Sequence, residues 1–193
     1  MDHKTNLTAS GGEYDVFLSF RGPDIRLTFN DHLYINLVRA GVHTFRDNNE
    51  LRKGVEFSPE LLKAITKSRI SIPIFTKGYA SSKWCLRELA QMVKCKGQLI
   101  LPVFYDVEPS VVRHQSGNSD AGRTYEDAFR EHESHFDEKN VTEWREAMTE
   151  VGALGGWEVE KEADGYCFPT NKPLMLMHGN FILVLSSLVF GIQ

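Results

Sequence analysis

The run SSKWCLRELA, residues 81–90, sets a carboxylate, Glu88, one helical turn after the indole of Trp84. A glutamate on an exposed helix usually finds a cation three or four positions away, but around Glu88 those positions hold Trp84, Cys85, Gln91 and Met92. No ion pair is on offer within the helix. Nor is the run a capping box, because the third residue after Ser81 is Trp84 and after Ser82 is Cys85. A carboxylate beside an indole in a half-closed cleft is desolvated and becomes a better base or nucleophile. The plain alternative is a solvated surface glutamate. Glu88 is off the stripe formed by Leu86, Leu89 and Val93, so the pattern predicts that it stays out of the core.

Holding such a group requires a scaffold, and one is legible from Tyr14 onward. The apolar runs YDVFLSF (14–20), VHTFRD (42–47), RISIPIF (69–75) and LILPVFYDV (99–107) alternate with amphipathic segments. That is the order of parallel strands joined by helices. Helical stripes fall between the runs at Phe29, Leu33 and Leu37, at Leu61, Leu62 and Ile65, and at Leu86, Leu89, Ala90 and Val93; each reads as core. Further on, EPSVVRHQSGNSDAGRT is rich in turn formers, TYEDAFREHESHF and VTEWREAMTEVGAL read as helices, and WEVE reads as a last short strand. Gly155 and Gly156 are placed to cap the second helix. Ligands of open parallel sheets bind on the loops after the carboxyl ends of the strands. Those loops carry Arg21, Asp47, Arg52, Lys53, Ser81, Ser82, Trp84, Glu88 and Asp106 toward one cleft.

The 193 residues, 41% hydrophobic and 25% charged, suit one ordinary domain with something left over. A formal net charge of -4 provides no basic field for phosphodiester backbones. The cysteines, Cys85, Cys95 and Cys167, are odd in number and lack a CxxC pair; this argues against a disulfide scaffold and a zinc site, and for a reducing compartment. SFRGPD follows the first run where a hydride-transfer fold would have GxGxxG. HESH at 132–135 is not HExxH and reads as solvated surface. Residues 1–11 read as a flexible lead-in, without the apolar core of a signal peptide. Residues 167–193 form a tail without charge from Pro173 onward, and its FILVLSSLVF is as apolar as a core strand. Three readings of it stay open: a membrane anchor, a segment packed on the domain or a partner, and an appendage without a place in the fold. A spanning helix needs about 20 apolar residues, and His178, Gly179 and Asn180 interrupt this one.

YDVFLSFRG with Arg26 after it, HTFRD, LRKG, SKWCLRELA and LPVFYDVEPSVVRHQSG together resemble the TIR (Toll/interleukin-1 receptor) domain of plant immune proteins, over residues 12–166. The resemblance implies an α/β, flavodoxin-like, five-stranded parallel sheet with helices on both faces. It implies cleavage of NAD+ at the nicotinamide glycosidic bond on self-association, giving ADP-ribose or cyclic ADP-ribose that signals plant immunity and cell death, in a cytoplasmic or nucleocytoplasmic setting. NAD+, with NADP+ as an alternative, is then a substrate, and no cofactor or metal is implied. Glu88 falls on the family's catalytic glutamate in WCLxEL. Arg21, Gly22, Asp47, Lys53, Ser81, Ser82, Trp84 and Cys85 are the implied substrate-binding set. The loop at 47–58 is implied to complete the cleft of a neighbouring copy. Asp31 and His32, and separately Gly156 and Trp157, are implied to form interfaces between copies or with other TIR proteins.

One acid suffices in such a reaction, because the nicotinamide nitrogen is already cationic in NAD+ and departs as a neutral ring without a proton donor, unlike the alkoxide of most glycosides. Two departures stand out: Pro23 replaces an acid usual in the family, and the sequence has no GxxxxGKS or GxxxxGKT run, so a TIR domain without a nucleotide-switch module is expected. The alternative activities are a non-enzymatic adaptor that recruits other TIR proteins, and synthesis of cyclic nucleotides from nucleic acid.

Overall fold

The apolar runs become strands and the stripes between them become helices. In the computed structural model residues 13–25, 29–46, 58–159, 183–185 and 187–189 are described. Arg26, Asp47, Arg52, Lys53, Cys167, the lead-in at 1–11 and the loop at 47–57 lie outside them. In chain order the elements are β1 (Tyr14–Phe20), α1 (Gly22–Ile25), α2 (Phe29–Arg39), β2 (Thr44–Arg46), α3 (Pro59–Lys67), β3 (Ser68–Phe75), α4 (Lys83–Lys94), β4 (Leu99–Ile100), β5 (Val103–Tyr105), α5 (Pro109–His114), α6 (Asp120–His135), α7 (Glu138–Gly152) and β6 (Trp157–Val159). A 3-10 turn, Tyr79–Ser81, leads into α4.

The sheet runs β2-β1-β3-β5-β6, with β4 also on β3, and every pairing is parallel. The fourth run is one strand interrupted. Leu99 lies opposite Ile70 and Val103 opposite Ile74, the same register on both sides of the break. By that count Pro102 falls opposite Pro73, so neither chain has an N–H to give there and the ladder lapses. The sheet therefore has the five strand positions that the runs predicted.

Local chemistry sets the helix starts. Ser58 accepts from the Leu61 N–H at 3.2 Å ahead of Pro59, and Ser119 accepts from Gly122 N–H at 3.1 Å. Pro109, with its φ pre-set, opens α5 inside a stretch whose turn formers had suggested a loop. The last long helix ends at Gly152 with Ala153 as its cap, earlier than Gly155. Gly156 instead serves close packing: a Cβ there would lie 2.3 Å from the Pro102 carbonyl oxygen.

Alternation along the strands divides the core in two. Phe17, Phe75 and Phe104 face α3 to α7. Val16, Leu18, Ile70, Ile72, Ile74, Val103 and Val159 face α1 and α2, whose Ile25, Phe29, Leu33 and Leu37 cover them. Strands roughly 4.8 Å apart make five positions nearly twice as wide as one helix of about 10 Å, so α2 alone cannot cover this face. The tail supplies further cover: Leu185, fully buried, and Val189, one helical turn on, join the same cluster. The Arg69 guanidinium donates to the Val189 carbonyl at 2.6 Å. Leu183, Val184 and Leu188 point outward. Among the described residues no helix is long and apolar enough to cross a membrane.

Candidate functional site

Glu88 lies at the carboxyl end of β1. Ser19, the penultimate residue of that strand, donates its hydroxyl to Glu88 Oε2 at 2.6 Å, the length of a charge-assisted O–H···O bond. With that proton committed, the Tyr79 hydroxyl is left to donate to Ser19 Oγ, 2.9 Å away, or to the Cys85 carbonyl at 3.2 Å. Tyr79 is fully buried against Phe75, with ring centroids 4.8 Å apart. Burial, then the neighbouring Cys85, then Glu88 hold its phenol well above the usual tyrosine range.

Only 7% of Glu88 is exposed, so the expectation that it would stay out of the core is corrected. That expectation gave α4 one inward stripe. Packed between the sheet and its neighbouring helices, α4 buries Cys85, Leu86, Glu88, Leu89, Ala90 and Met92. A polar residue on that wider arc survives only with a partner, and Ser19 is one.

Trp84 stands one turn earlier on α4. It is half-buried and lines a cleft of about 460 Å³ with Arg21, Ser81, Ser82 and Lys83, closed on the far side by His132 of α6 and by Phe136, the residue that caps that helix. Glu88 is not part of that lining. Ser82 is the N-cap of α4, accepting from the Cys85 N–H at 3.3 Å. Cys85, 2% exposed, belongs to the core and not to the cleft wall, and Gly22 is buried at the start of α1. Asp47 and Lys53 fall outside the described residues, and Asp106 is exposed in the left-handed region at φ 54°.

Arg21 is tethered. Its guanidinium pairs with Asp24, whose other oxygen accepts from the Thr76 hydroxyl at 2.5 Å. Gly78 lies so near that a Cβ there would be 2.7 Å from Asp24 Oδ2 and 2.9 Å from Arg21 Nη1. Lys83 and Arg87 are different: neither forms an ion pair among the described residues, and they lie 5.3 and 5.4 Å from the Trp84 ring centroid. Lys83 is also 5.8 Å from the Phe136 ring.

His132 departs from the surface reading of HESH. It is 6% exposed, its Nε2 lies 2.8 Å from the Ala80 carbonyl, and it packs among Phe129, Phe136 and Trp144. It thereby braces the turn that presents Ser81 and Ser82. His135 remains exposed, and no group of metal-ligating side chains occurs among the described residues. At the expected interfaces His32 is exposed and Asp31 pairs with Arg46 at 2.7 Å, while the Trp157 N–H donates to the Pro102 carbonyl at 3.1 Å.

Sequence reasoning passed over Ser19, Tyr79, Lys83 and Arg87. For Ser19 a signal existed: it is the one hydroxyl in the otherwise apolar end of YDVFLSF.

The all-parallel sheet, with helices on both faces and a buried acid at the end of its first strand, defines an open α/β domain. A profile of the TIR domain family matches residues 13–166, and the chain belongs to that family. It is 46% identical over 149 residues to disease resistance protein RPV1 of Vitis rotundifolia, covering 76% of this chain and 10% of that protein. It is 42% identical over 154 residues to TMV resistance protein N of Nicotiana glutinosa, covering 77% of this chain and 13% of the relative. The chain thus spans a small fraction of these relatives. Among solved structures it is similar to the TIR domains of the activated Roq1 resistosome, which recognises the pathogen effector XopQ, at 45% identity and a TM-score of 0.65, covering 75% of this chain and 87% of that one.

Proposed function

We propose that this domain is an NAD+ glycohydrolase of plant immune signalling that works when copies self-associate. The observation that carries the reading is the Glu88 carboxylate, buried at the end of β1 and held by the Ser19 hydroxyl one turn behind the cleft residue Trp84. A hydrogen-bonded carboxylate in a low-dielectric site stabilises positive charge far better than one in water. As the C1′–N bond to nicotinamide breaks, its electron pair goes to the pyridine ring, which leaves neutral. The ribosyl centre becomes oxocarbenium-like, and Glu88 steadies it. Water then bonds to C1′ and releases a proton, giving ADP-ribose; attack from within the molecule gives a cyclic product. Ser19 fixes the carboxylate's rotamer and Trp84 flanks the sugar or the departing ring. The dinucleotide is the substrate, and no step calls for a resident metal.

Likeness to the TIR domains of a resistosome supports assembly through TIR–TIR contacts, with α2 around Asp31 and His32 and the strand start at Gly156 and Trp157 as the surfaces. A second reading, a scaffold that recruits other TIR proteins without chemistry, is favoured by the absence of Glu88 from the cleft lining. Nicotinamide release across a series of protein concentrations separates the two. The hydrolase predicts a rate rising faster than linearly with concentration and abolished in Glu88→Ala; equal rates, or none from either protein, indicate the scaffold.

A further inference from the structure

Arg21 is the guanidinium nearest the first strand's end, yet it is committed to Asp24, which Thr76 and the close approach of Gly78 hold in place. Recruiting Arg21 to an anion would leave only its Nη2 and Nε donors for the ligand, beside a carboxylate that repels it. Lys83 and Arg87 stand within 5.5 Å of one indole face or edge without any carboxylate partner among the described residues. Stacking on Trp84 partly strips their water and restricts their rotamers, which pre-organises Lys83 in the cleft wall and Arg87 on the same ring, outside the lining. The cleft lining holds one carboxylate, Glu131, on the opposite wall. Resting on the glycohydrolase reading, the spacing also fits. Lys83 and Arg87 precede Glu88 by five residues and by one, helical rises of roughly 7.5 and 1.5 Å, which bracket the separation of a nucleotide's anomeric carbon from its 5′-phosphate.

We infer that Lys83 and Arg87, rather than Arg21, hold the pyrophosphate of the dinucleotide, each steadied against the Trp84 ring. They act as positioning residues: they anchor the phosphates so that the nicotinamide ribose reaches Glu88, and they take no part in bond breaking.

The test is binding of ADP-ribose, inorganic pyrophosphate and adenosine to the full chain, followed by calorimetry and by the Trp84 indole N–H resonance. Lys83→Gln or Arg87→Gln removes a charge-assisted hydrogen bond to phosphate and weakens ADP-ribose and pyrophosphate roughly tenfold or more; adenosine is unaffected, and Lys83→Arg restores binding. With NAD+ as substrate the same variants lower kcat/KM, mainly through a raised KM. ADP-ribose binding that is absent, indifferent to both substitutions, or weakened in parallel with adenosine overturns the inference. If ADP-ribose binds through these cations but no nicotinamide is ever released, the phosphate site stands and the hydrolase reading falls. If nicotinamide is released while both variants bind normally, the reverse holds.

Discussion

Ser19 carries more consequence than its size suggests, because it is the hydroxyl that meets the buried Glu88 from 69 residues away in sequence. Replacing it with alanine leaves a buried carboxylate short of a donor, at a cost of about 1–3 kcal/mol. Chemical denaturation of Ser19→Ala checks that figure, and its nicotinamide release is expected to fall in kcat more than in KM, since the carboxylate loses its orientation rather than its binding surface. An unchanged kcat would leave Ser19 a packing residue. The acid itself was legible in the sequence as a carboxylate without a helical partner. Its true partner was not, since an interaction between β1 and α4 depends on the register of the whole sheet. Lys83 and Arg87 were illegible for a similar reason. They look like ordinary surface cations until both are found against the Trp84 ring without an ion pair among the described residues.

Among the elements, the tail is where packing decides what the pattern left open. As a string it allowed a membrane anchor, a packed segment or an appendage; in three dimensions Leu185 and Val189 join the cluster on the face that α2 leaves uncovered. Leu185→Ala should therefore cost about 2–5 kcal/mol, the range for truncating a buried leucine. Leu183→Ala, at a site 65% exposed, should stay within about 0.5 kcal/mol. Urea melts of the two variants decide it, and equal midpoints would contradict the packing. Gly156 makes a related point. Because a side chain there collides with Pro102, Gly156→Ala is expected to destabilise the fold by about 1–3 kcal/mol, so thermal melting has to accompany any measurement of its self-association. The strand runs and most stripes were legible because their periods are local. Leu62, on a predicted stripe, is 39% exposed, and His132, read as surface, is buried by α7 and the turn before α4. Which side of a helix is covered depends on neighbours that periodicity does not name.

For the molecule as a whole, the uneven division of its helices places two phenols, Tyr79 and Tyr125, in the core on the crowded face. Burial, then Cys85, raise both well above the ordinary value of 10.0. A folded-state value above the unfolded one means that the contribution is fully present below about pH 10 and is lost as pH rises from there through the raised values. Stability is expected to fall at up to about 1.4 kcal/mol per pH unit for each tyrosine above that point. Denaturant melts from pH 8 to 11 check it; a flat profile would mean that water reaches both rings.

The chemistry proposed for this domain rests on one buried carboxylate, and Glu88→Gln isolates its charge. Glutamine keeps the shape and can still accept from Ser19, so the fold and the cleft survive while the charge is lost. The measurement is nicotinamide release from NAD+ by the concentrated wild-type and Glu88→Gln proteins. Turnover is expected from the first and a loss of at least about a hundredfold in the second; equal turnover, or a wild-type protein that releases none, would contradict the role given to Glu88.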